Sequence, residues 1–262
     1  DRETSGVETI VSNWNAYLNL ANLYYLLLDC SLIEIANHAL FHFLGITNRD
    51  AFRCTYKDGR IVGMSSPQEG FAAQLLADRF YNPTGGMRLL QRSVIEENVF
   101  QHCFERLVHL VGKKQHVVRL SDLAKSLSEY KIGNYPMSLV NAWFVCEREI
   151  SDRWKAFLES RAETYEGGQE RINAERRHFL TGRDFTASVM SNTLELMGVF
   201  TNDELRTLDK IRGARNDIAH SLGGAKCDAA TCRSAIEIAS RLILEREPFS
   251  LRLNFDYSVL EL

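Results

Sequence analysis

Apolar side chains recur at intervals of three and four residues along most of this chain, which is the spacing of one face of an α-helix. Only 4 of the 262 residues are proline, the residue that most strongly interrupts helices. The sequence therefore predicts a mainly α-helical protein. Its composition, with 45% hydrophobic and 25% charged residues, is that of an ordinary globular chain rather than a disordered or fibrous one.

One short segment departs from this helical spacing. From Phe52 onward apolar and charged residues alternate, and Asp58-Gly59 is a dipeptide that favours the tight turn of a hairpin. We therefore predict a small β-hairpin at about residues 52–64.

The helical segments fall into two groups. Turn-forming residues from Gly133 to Pro136 predict a boundary between a helical N-terminal region, residues 1–133, and a helical bundle, residues 134–248. The sequence does not define a role for the first region. Alternating apolar residues after the last helix predict a strand-like tail over residues 249–262.

The longest uncharged stretch runs from Thr9 to Leu28 and has the length of a membrane span. It contains four asparagines, which are costly in hydrocarbon, so we interpret it as a buried core helix. We predict two helices here, residues 7–29 and 31–45, with a break near residues 29–31. We find no signal-peptide pattern, and a chain that begins with Asp1 is typical of an excised or processed protein. We expect no contact with a membrane.

Six scattered cysteines, mostly within apolar segments, are typical of buried thiols in a reducing compartment. The pair Cys227 and Cys232 has no second pair to complete a zinc site, and we interpret both as thiols on a helix face. We therefore predict a cytoplasmic protein with neither a metal nor a cofactor.

The side chains best suited to catalysis lie in residues 205–222, which read LRTLDKIRGARNDIAHSL. On an ideal helix of about 100° per residue, Arg215 lies toward the apolar side, while Arg212, Asn216 and His220 form a neighbouring polar strip. The long stem of Arg215 can pack on the core while its guanidinium turns toward that strip. The residues predicted to face the core are Leu208, Ile211, Ile218 and Leu222.

A guanidinium, an amide and an imidazole within one arc suit phosphoryl transfer on RNA. A phosphodiester under attack gains negative charge, which a guanidinium binds through two parallel hydrogen bonds. An imidazole that titrates near neutrality can accept or donate the proton of the attacking or leaving oxygen. RNA supplies its own nucleophile, the 2′-hydroxyl. Helices that carry an Arg, an Asn and a His without any catalytic role are nonetheless common.

The segment from Arg215 to His220, RNDIAH, resembles the R-x4-H motif of the HEPN family (higher eukaryotes and prokaryotes nucleotide-binding domains). The resemblance extends over roughly residues 135–246. It implies a four- or five-helix bundle that dimerises through its motif helices and acts as a metal-independent endoribonuclease, leaving a 2′,3′-cyclic phosphate and a 5′-hydroxyl. It assigns acid/base chemistry to His220, binding of the scissile phosphate to Arg215, and orientation of that phosphate or of His220 to Asn216.

The resemblance also implies a biological setting. HEPN nucleases occur in toxin–antitoxin pairs, in phage defence and as CRISPR ancillary effectors, so we expect a regulatory partner or activator besides RNA. HEPN toxins that a partner nucleotidyltransferase silences usually carry Tyr two residues after the motif His. This chain has Leu222 there, which argues against that subgroup.

The formal net charge of −3 excludes a chain-wide positive field, so any site for a polyanion must be local. Two windows carry four cations against one carboxylate, residues 206–215 and residues 171–183. They predict contacts to an RNA backbone, with Lys210 and Arg212 as the first candidates because they share the motif helix. The alternative is a pair of solvated helix faces with internal ion pairs.

Three functions are compatible with this sequence. The leading hypothesis is a homodimeric endoribonuclease in which residues 1–133 sense, regulate or widen the dimer interface. The second is a catalytically inactive HEPN scaffold that binds RNA or a protein. The third is the nuclease portion of a longer effector.

Overall fold

The computed structural model describes residues 2–37, 45–46, 53–58, 60–65, 95–220 and 227–255. Most of this part of the chain is helical, so the prediction of a mainly α-helical protein is confirmed. Its eight α-helices are α1 Arg2–Ser31, α2 Glu97–Val111, α3 Lys114–Lys131, α4 Tyr135–Ser160, α5 Ala174–Leu180, α6 Ala187–Leu196, α7 Asn202–His220 and α8 Ala229–Leu244.

Two short strands lie between α1 and α2. Strand β1, Arg53–Lys57, pairs antiparallel with β2, Arg60–Ser65, and the register shifts between Thr55 and Tyr56. Asp58, which directly follows β1, has a positive φ of 53°, a conformation that aspartate tolerates better than most residues.

Helix α1 ends at Ser31, within the break predicted at residues 29–31. The chain continues directly into a π-helical turn, Leu32–Ala36, and Asn37 ends this turn with a φ of 48°. Asp29 is fully buried and forms an ion pair with Lys131 of α3, so its charge does not bring the chain to the surface.

The segment Val11–Ala36 is long and apolar enough to cross a membrane, and half of its most apolar window is buried within the protein. Leu23, Leu26 and Leu27 have no exposed surface, as expected of a core helix. The first half of the helix differs, since Tyr17 remains 71% exposed.

Helix α4 is the centre of the helical packing. It contacts α3, α6, α7 and α8. Its apolar stripe is buried and includes Leu139, Trp143, Cys146, Ile150 and Trp154. The indole Nε1 of Trp154 donates a 2.7 Å hydrogen bond to the carbonyl oxygen of Leu180, so this large side chain buries no unsatisfied donor.

The boundary expected at Gly133 is a turn rather than a separation between two cores. Gly133 adopts a φ of 79°, and the helices on either side of it, α3 and α4, pack against each other more extensively than any other pair of described elements. One continuous hydrophobic cluster includes buried residues of α1, α2 and α3 together with those of the later helices. The motif helix is therefore supported by a core to which the first half of the chain also contributes.

The strand-like tail predicted over residues 249–262 is not a strand in the part of it that the structure describes. Residues 249–255 have no regular secondary structure, and residues 256–262 lie outside the described residues. The alternating apolar side chains pack on helices instead of entering a sheet. The guanidinium of Arg106 lies 5.1 Å from the ring centre of Phe249, and that of Arg233 lies 4.7 Å from the ring centre of Phe255.

Candidate functional site

Helix α7, which carries the RNDIAH segment, starts at a capping box. The backbone N–H of Thr201 donates to Glu204 Oε2 at 2.8 Å, and the backbone N–H of Glu204 donates to Thr201 Oγ1 at 3.2 Å. These reciprocal bonds satisfy two amides that have no partner within the helix. The N-terminus of the helix is thereby held in place.

The apolar side of α7 faces the core, as predicted. Leu205, Leu208 and Ile211 are buried, and Ile218 is half-buried against the same cluster. Leu222, the fourth residue predicted to face the core, lies outside the described residues. Burial of these side chains against α4, α6 and α8 sets the rotation of the helix and hence the direction of its polar face.

The polar face carries Arg215, Asn216 and His220 at the C-terminal end of α7. Arg215 is half-buried, and its Nη1 donates a 3.2 Å hydrogen bond to Oδ1 of the half-buried Asn216. His220 is the last residue of the helix and its side chain is exposed. The structure thus brings the guanidinium and the amide together, with the imidazole one turn further along the helix. All three are accessible to a substrate.

The two predicted RNA-binding residues lie in different surroundings. Arg212 Nη2 is 2.8 Å from Asp209 Oδ1, and about a third of each side chain is exposed. Lys210 is exposed. Hydrogen bonds from Thr231, with a further contribution from the charge of Lys210, lower the pKa of Asp228 at the start of α8. Lys210 is therefore available to a phosphate, while Arg212 must exchange one carboxylate partner for it.

Two of the four arginines in the second basic window, residues 171–183, lie close to carboxylates. Arg171 Nη1 lies 3.3 Å from Glu163 Oε2, and Arg177 Nη1 lies 3.6 Å from Glu159 Oε1. Such exposed pairs contribute little to stability, but they reduce the positive field. The ion pairs thus lower the net positive charge that this window presents, and its contact with RNA stays a prediction.

Two clefts in the described part of the chain lie away from α7. One, of about 840 Å³, separates α8 from residues 247–255, and the other, of about 680 Å³, lies between the first half of α1 and the start of α3. No three His, Cys, Asp or Glu side chains among the described residues converge as a metal site. The polar face of α7 is thus an open helix surface that borders neither cleft.

Sequence reasoning missed a cluster around Glu247. Its carboxylate, only 4% exposed, lies 2.5 Å from Lys113 Nζ, 2.6 Å from His109 Nε2 and 3.0 Å from His116 Nε2. Burial alone would raise the pKa of Glu247, but hydrogen bonds from Lys113 and His109 and the charges of Lys113 and His116 together lower it. The seven-residue spacing of the histidines was the one sequence signal, and their carboxylate partner lies more than a hundred residues away.

Comparison of the chain with family models, with curated proteins and with solved structures found no match. The likeness to HEPN proteins therefore rests on the RNDIAH segment and its helical setting.

Proposed function

We propose that this chain is a metal-independent endoribonuclease of HEPN type and that helices α4–α8 form its HEPN-like bundle. The observation that carries the proposal is the placement of Arg215, Asn216 and His220 on one accessible face at the end of α7, with Arg215 bonded to Asn216. Five helices, a number within the range that the resemblance implies, also support it.

The proposed reaction uses groups of the RNA and of the polar faces of two α7 helices. The 2′-oxygen attacks the adjacent phosphorus, a new 2′-O–P bond forms and the bond to the 5′-oxygen breaks. His220 accepts the proton of the 2′-hydroxyl or donates one to the departing 5′-oxygen. Arg215 stabilises the charge that develops on the phosphoryl oxygens, and Asn216 orients Arg215 through their hydrogen bond. The products are a 2′,3′-cyclic phosphate and a 5′-hydroxyl.

A second copy of the chain completes the site in this proposal. In a phosphoryl transfer the attacking and leaving oxygens lie roughly in line on opposite sides of phosphorus, so one imidazole cannot reach both. Two α7 helices that face each other across a two-fold axis would place one His220 on each side of the phosphate.

Gly213 supports a close approach at this face. It lies two turns before His220, hence on the same side of α7, and no atom lies within 4 Å of the position that a Cβ would occupy. A glycine in mid-helix costs about 0.5–1 kcal/mol relative to alanine, and nothing packed within the described structure requires its small size. A second helix backbone packed against α7 would require it.

For the RNA strand beside the cleft, we propose phosphate contacts from Lys210 and, once it is released from Asp209, from Arg212. A chain with a net charge of −3 then holds a few phosphates rather than coating the strand. We further propose a cytoplasmic role in phage defence or in a toxin system, under the control of a regulatory partner.

Cleavage of a labelled single-stranded RNA in excess EDTA tests this function. We expect the wild type to produce fragments with 2′,3′-cyclic phosphate ends and expect His220→Ala to lose at least about 100-fold in rate. His178→Ala, which removes an exposed histidine of α5, should cleave as the wild type does. A strand with 2′-deoxyribose at the cleaved position should remain intact.

Equal, background-level RNA breakdown by the wild type and His220→Ala would overturn the nuclease proposal. RNA binding measured on the same preparations then tests the scaffold alternative. A scaffold would bind RNA without cleaving it and would lose affinity on Lys210→Ala.

A further inference from the structure

The thiols of Cys227 and Cys232 face each other where the chain enters α8. Their sulfur atoms are 3.2 Å apart. A disulfide bond is about 2.05 Å long, so the two sulfurs need to approach by only about 1 Å to be joined. Cys227 is half-buried and Cys232 is buried, which leaves one of the two partly accessible.

This proximity follows from the way the helix begins. Asp228 is the N-cap of α8, and its Oδ1 accepts a 2.7 Å hydrogen bond from the backbone N–H of Thr231. Cys227 precedes the cap and Cys232 lies at the fourth helical position. These two positions are neighbours at a capped helix start, where apolar side chains often pack on each other. The fold therefore holds the two thiols together in the reduced protein.

Among the cysteines whose side chains the structure describes, no other has a sulfur neighbour of this kind. Cys30, Cys103 and Cys146 are buried, and the sulfur contact recorded for Cys103 is with the carbonyl oxygen of Tyr24 at 3.9 Å. Within the described residues the Cys227–Cys232 pair is thus set apart by geometry, not only by spacing in the sequence.

We propose that Cys227 and Cys232 are a redox-active dithiol that forms an intramolecular disulfide by exchange with a low-molecular-weight disulfide. The Cys227 thiolate attacks one sulfur of the oxidant, forms a mixed disulfide and releases one thiolate. Cys232 then loses its proton and attacks the Cys227 sulfur, which forms the Cys227–Cys232 bond and releases the second thiolate. Two protein thiols are oxidised and one small disulfide is reduced to two thiols.

The different exposure of the two thiols determines the order of these steps. Cys227 is the more accessible thiol, so it meets the oxidant first, and Cys232 resolves the mixed disulfide from within. Burial raises the pKa of both thiols, and the neighbouring thiol raises that of Cys232 further. The exchange therefore speeds up as the pH rises above neutrality. In closing the bond, Cys232 gives up the hydrogen bond that its thiol donates to the carbonyl oxygen of Tyr135 at 3.2 Å.

Oxidised glutathione, followed by alkylation and mass spectrometry on the full chain under native conditions, tests the proposal. In the wild type we expect the disulfide to appear as a loss of two hydrogens, with a cross-linked peptide that contains both Cys227 and Cys232. Denaturing alkylation should then label four of the six cysteines. In Cys232→Ala, Cys227 should keep glutathione as a stable mixed disulfide. In Cys227→Ser, no intramolecular disulfide should form.

Two results would overturn the proposal. One is full alkylation of all six cysteines after a treatment that oxidises a reference dithiol peptide. The other is a stable mixed disulfide on Cys227 while Cys232 is intact, which would mean that the sulfurs do not meet. Neither readout depends on RNA cleavage, so the dithiol and the nuclease proposals succeed or fail separately.

Discussion

Lys131 and Asp29 form an ion pair that excludes solvent completely. Lys131 Nζ lies 3.1 Å from Asp29 Oδ2, and neither side chain has any exposed surface. The pair joins the end of α3 to the end of α1, on either side of the segment that contains the two strands. Charges this deeply buried are costly to desolvate, and only their mutual attraction and hydrogen bonds offset that cost.

We expect Lys131→Met to destabilise the fold by about 3–5 kcal/mol, because it leaves the Asp29 carboxylate buried without its cation. The double variant Asp29→Leu/Lys131→Met should recover most of that loss, since it removes both charges. Urea unfolding followed by circular dichroism measures both. Arg171→Met, which breaks an exposed pair, is the control and should cost less than about 1 kcal/mol. Equal losses in the single and double variants would contradict this account.

The Gly213→Ala variant distinguishes an effect on the stability of the monomer from an effect on the assembly of the dimer. We expect the variant to raise the free energy of unfolding of the monomer by up to about 1 kcal/mol, because alanine favours the helix and the space for its Cβ is open. If two α7 helices meet there, the same methyl group should weaken the dimer, and Gly213→Leu should weaken it further. Sedimentation velocity and RNA cleavage measure the second effect. A leucine variant that dimerises and cleaves as the wild type does would remove Gly213 from the interface.

The carboxylate of Glu247 makes the free energy of unfolding depend on pH in the acidic range. Its folded-state pKa lies below the ordinary 4.5, so its contribution is fully present above pH 4.5 and is lost as the pH falls through the lower folded-state value. Glu247→Gln should therefore be less stable than the wild type at neutral pH, and the difference should shrink under acid. Glu237→Gln, which breaks an exposed pair with Arg233, should show little difference at any pH.

The titration of His116, in the same cluster, affects stability at a higher pH than the titration of Glu247 does. Burial lowers its pKa below the ordinary 6.5, an effect that the charge of Glu247 only partly opposes. The folded state thus favours the neutral imidazole, and stability is lost as the pH falls from 6.5 toward the folded-state pKa. We expect His116→Gln to remove the loss of stability just below pH 6.5. The loss of stability at lower pH, which comes from Glu247, should remain. Urea midpoints measured across this pH range check both steps. A single, unchanged acid transition in both variants would show that the cluster does not govern it.

Arg215→Lys tests the guanidinium rather than its charge. Lysine keeps the positive charge but loses the planar fork that can bind a phosphate through two bonds while it holds Asn216. We expect the single-turnover rate of RNA cleavage to fall about 100-fold, the cost of losing one oriented donor to developing charge. Arg206→Lys, on the same helix and exposed, should change the rate little. If Arg215→Lys and Arg206→Lys cleave RNA at the same rate, Arg215 contributes only its positive charge, and the role proposed for its guanidinium is wrong.

Local sequence patterns were sufficient for much of the fold. Apolar spacing oriented Leu208 and Ile211 toward the core. The capping box at the start of α7 is equally local, because Thr201 and Glu204 are only three residues apart. The prediction failed where distant partners decided the conformation of a segment. The alternating residues after α8 read as a strand until Phe249 and Phe255 are seen to pack on helices.

The sequence by itself determined the helical character of this protein and the arc that Arg215, Asn216 and His220 share on one helix, because both depend on residues only a few positions apart. Tertiary structure alone decided which charges meet. It placed Glu247 among His109, Lys113 and His116, and it brought α3 and α4 into one core across the expected boundary. Such contacts join residues far apart in the chain, and burial of apolar surface across the whole molecule selects them.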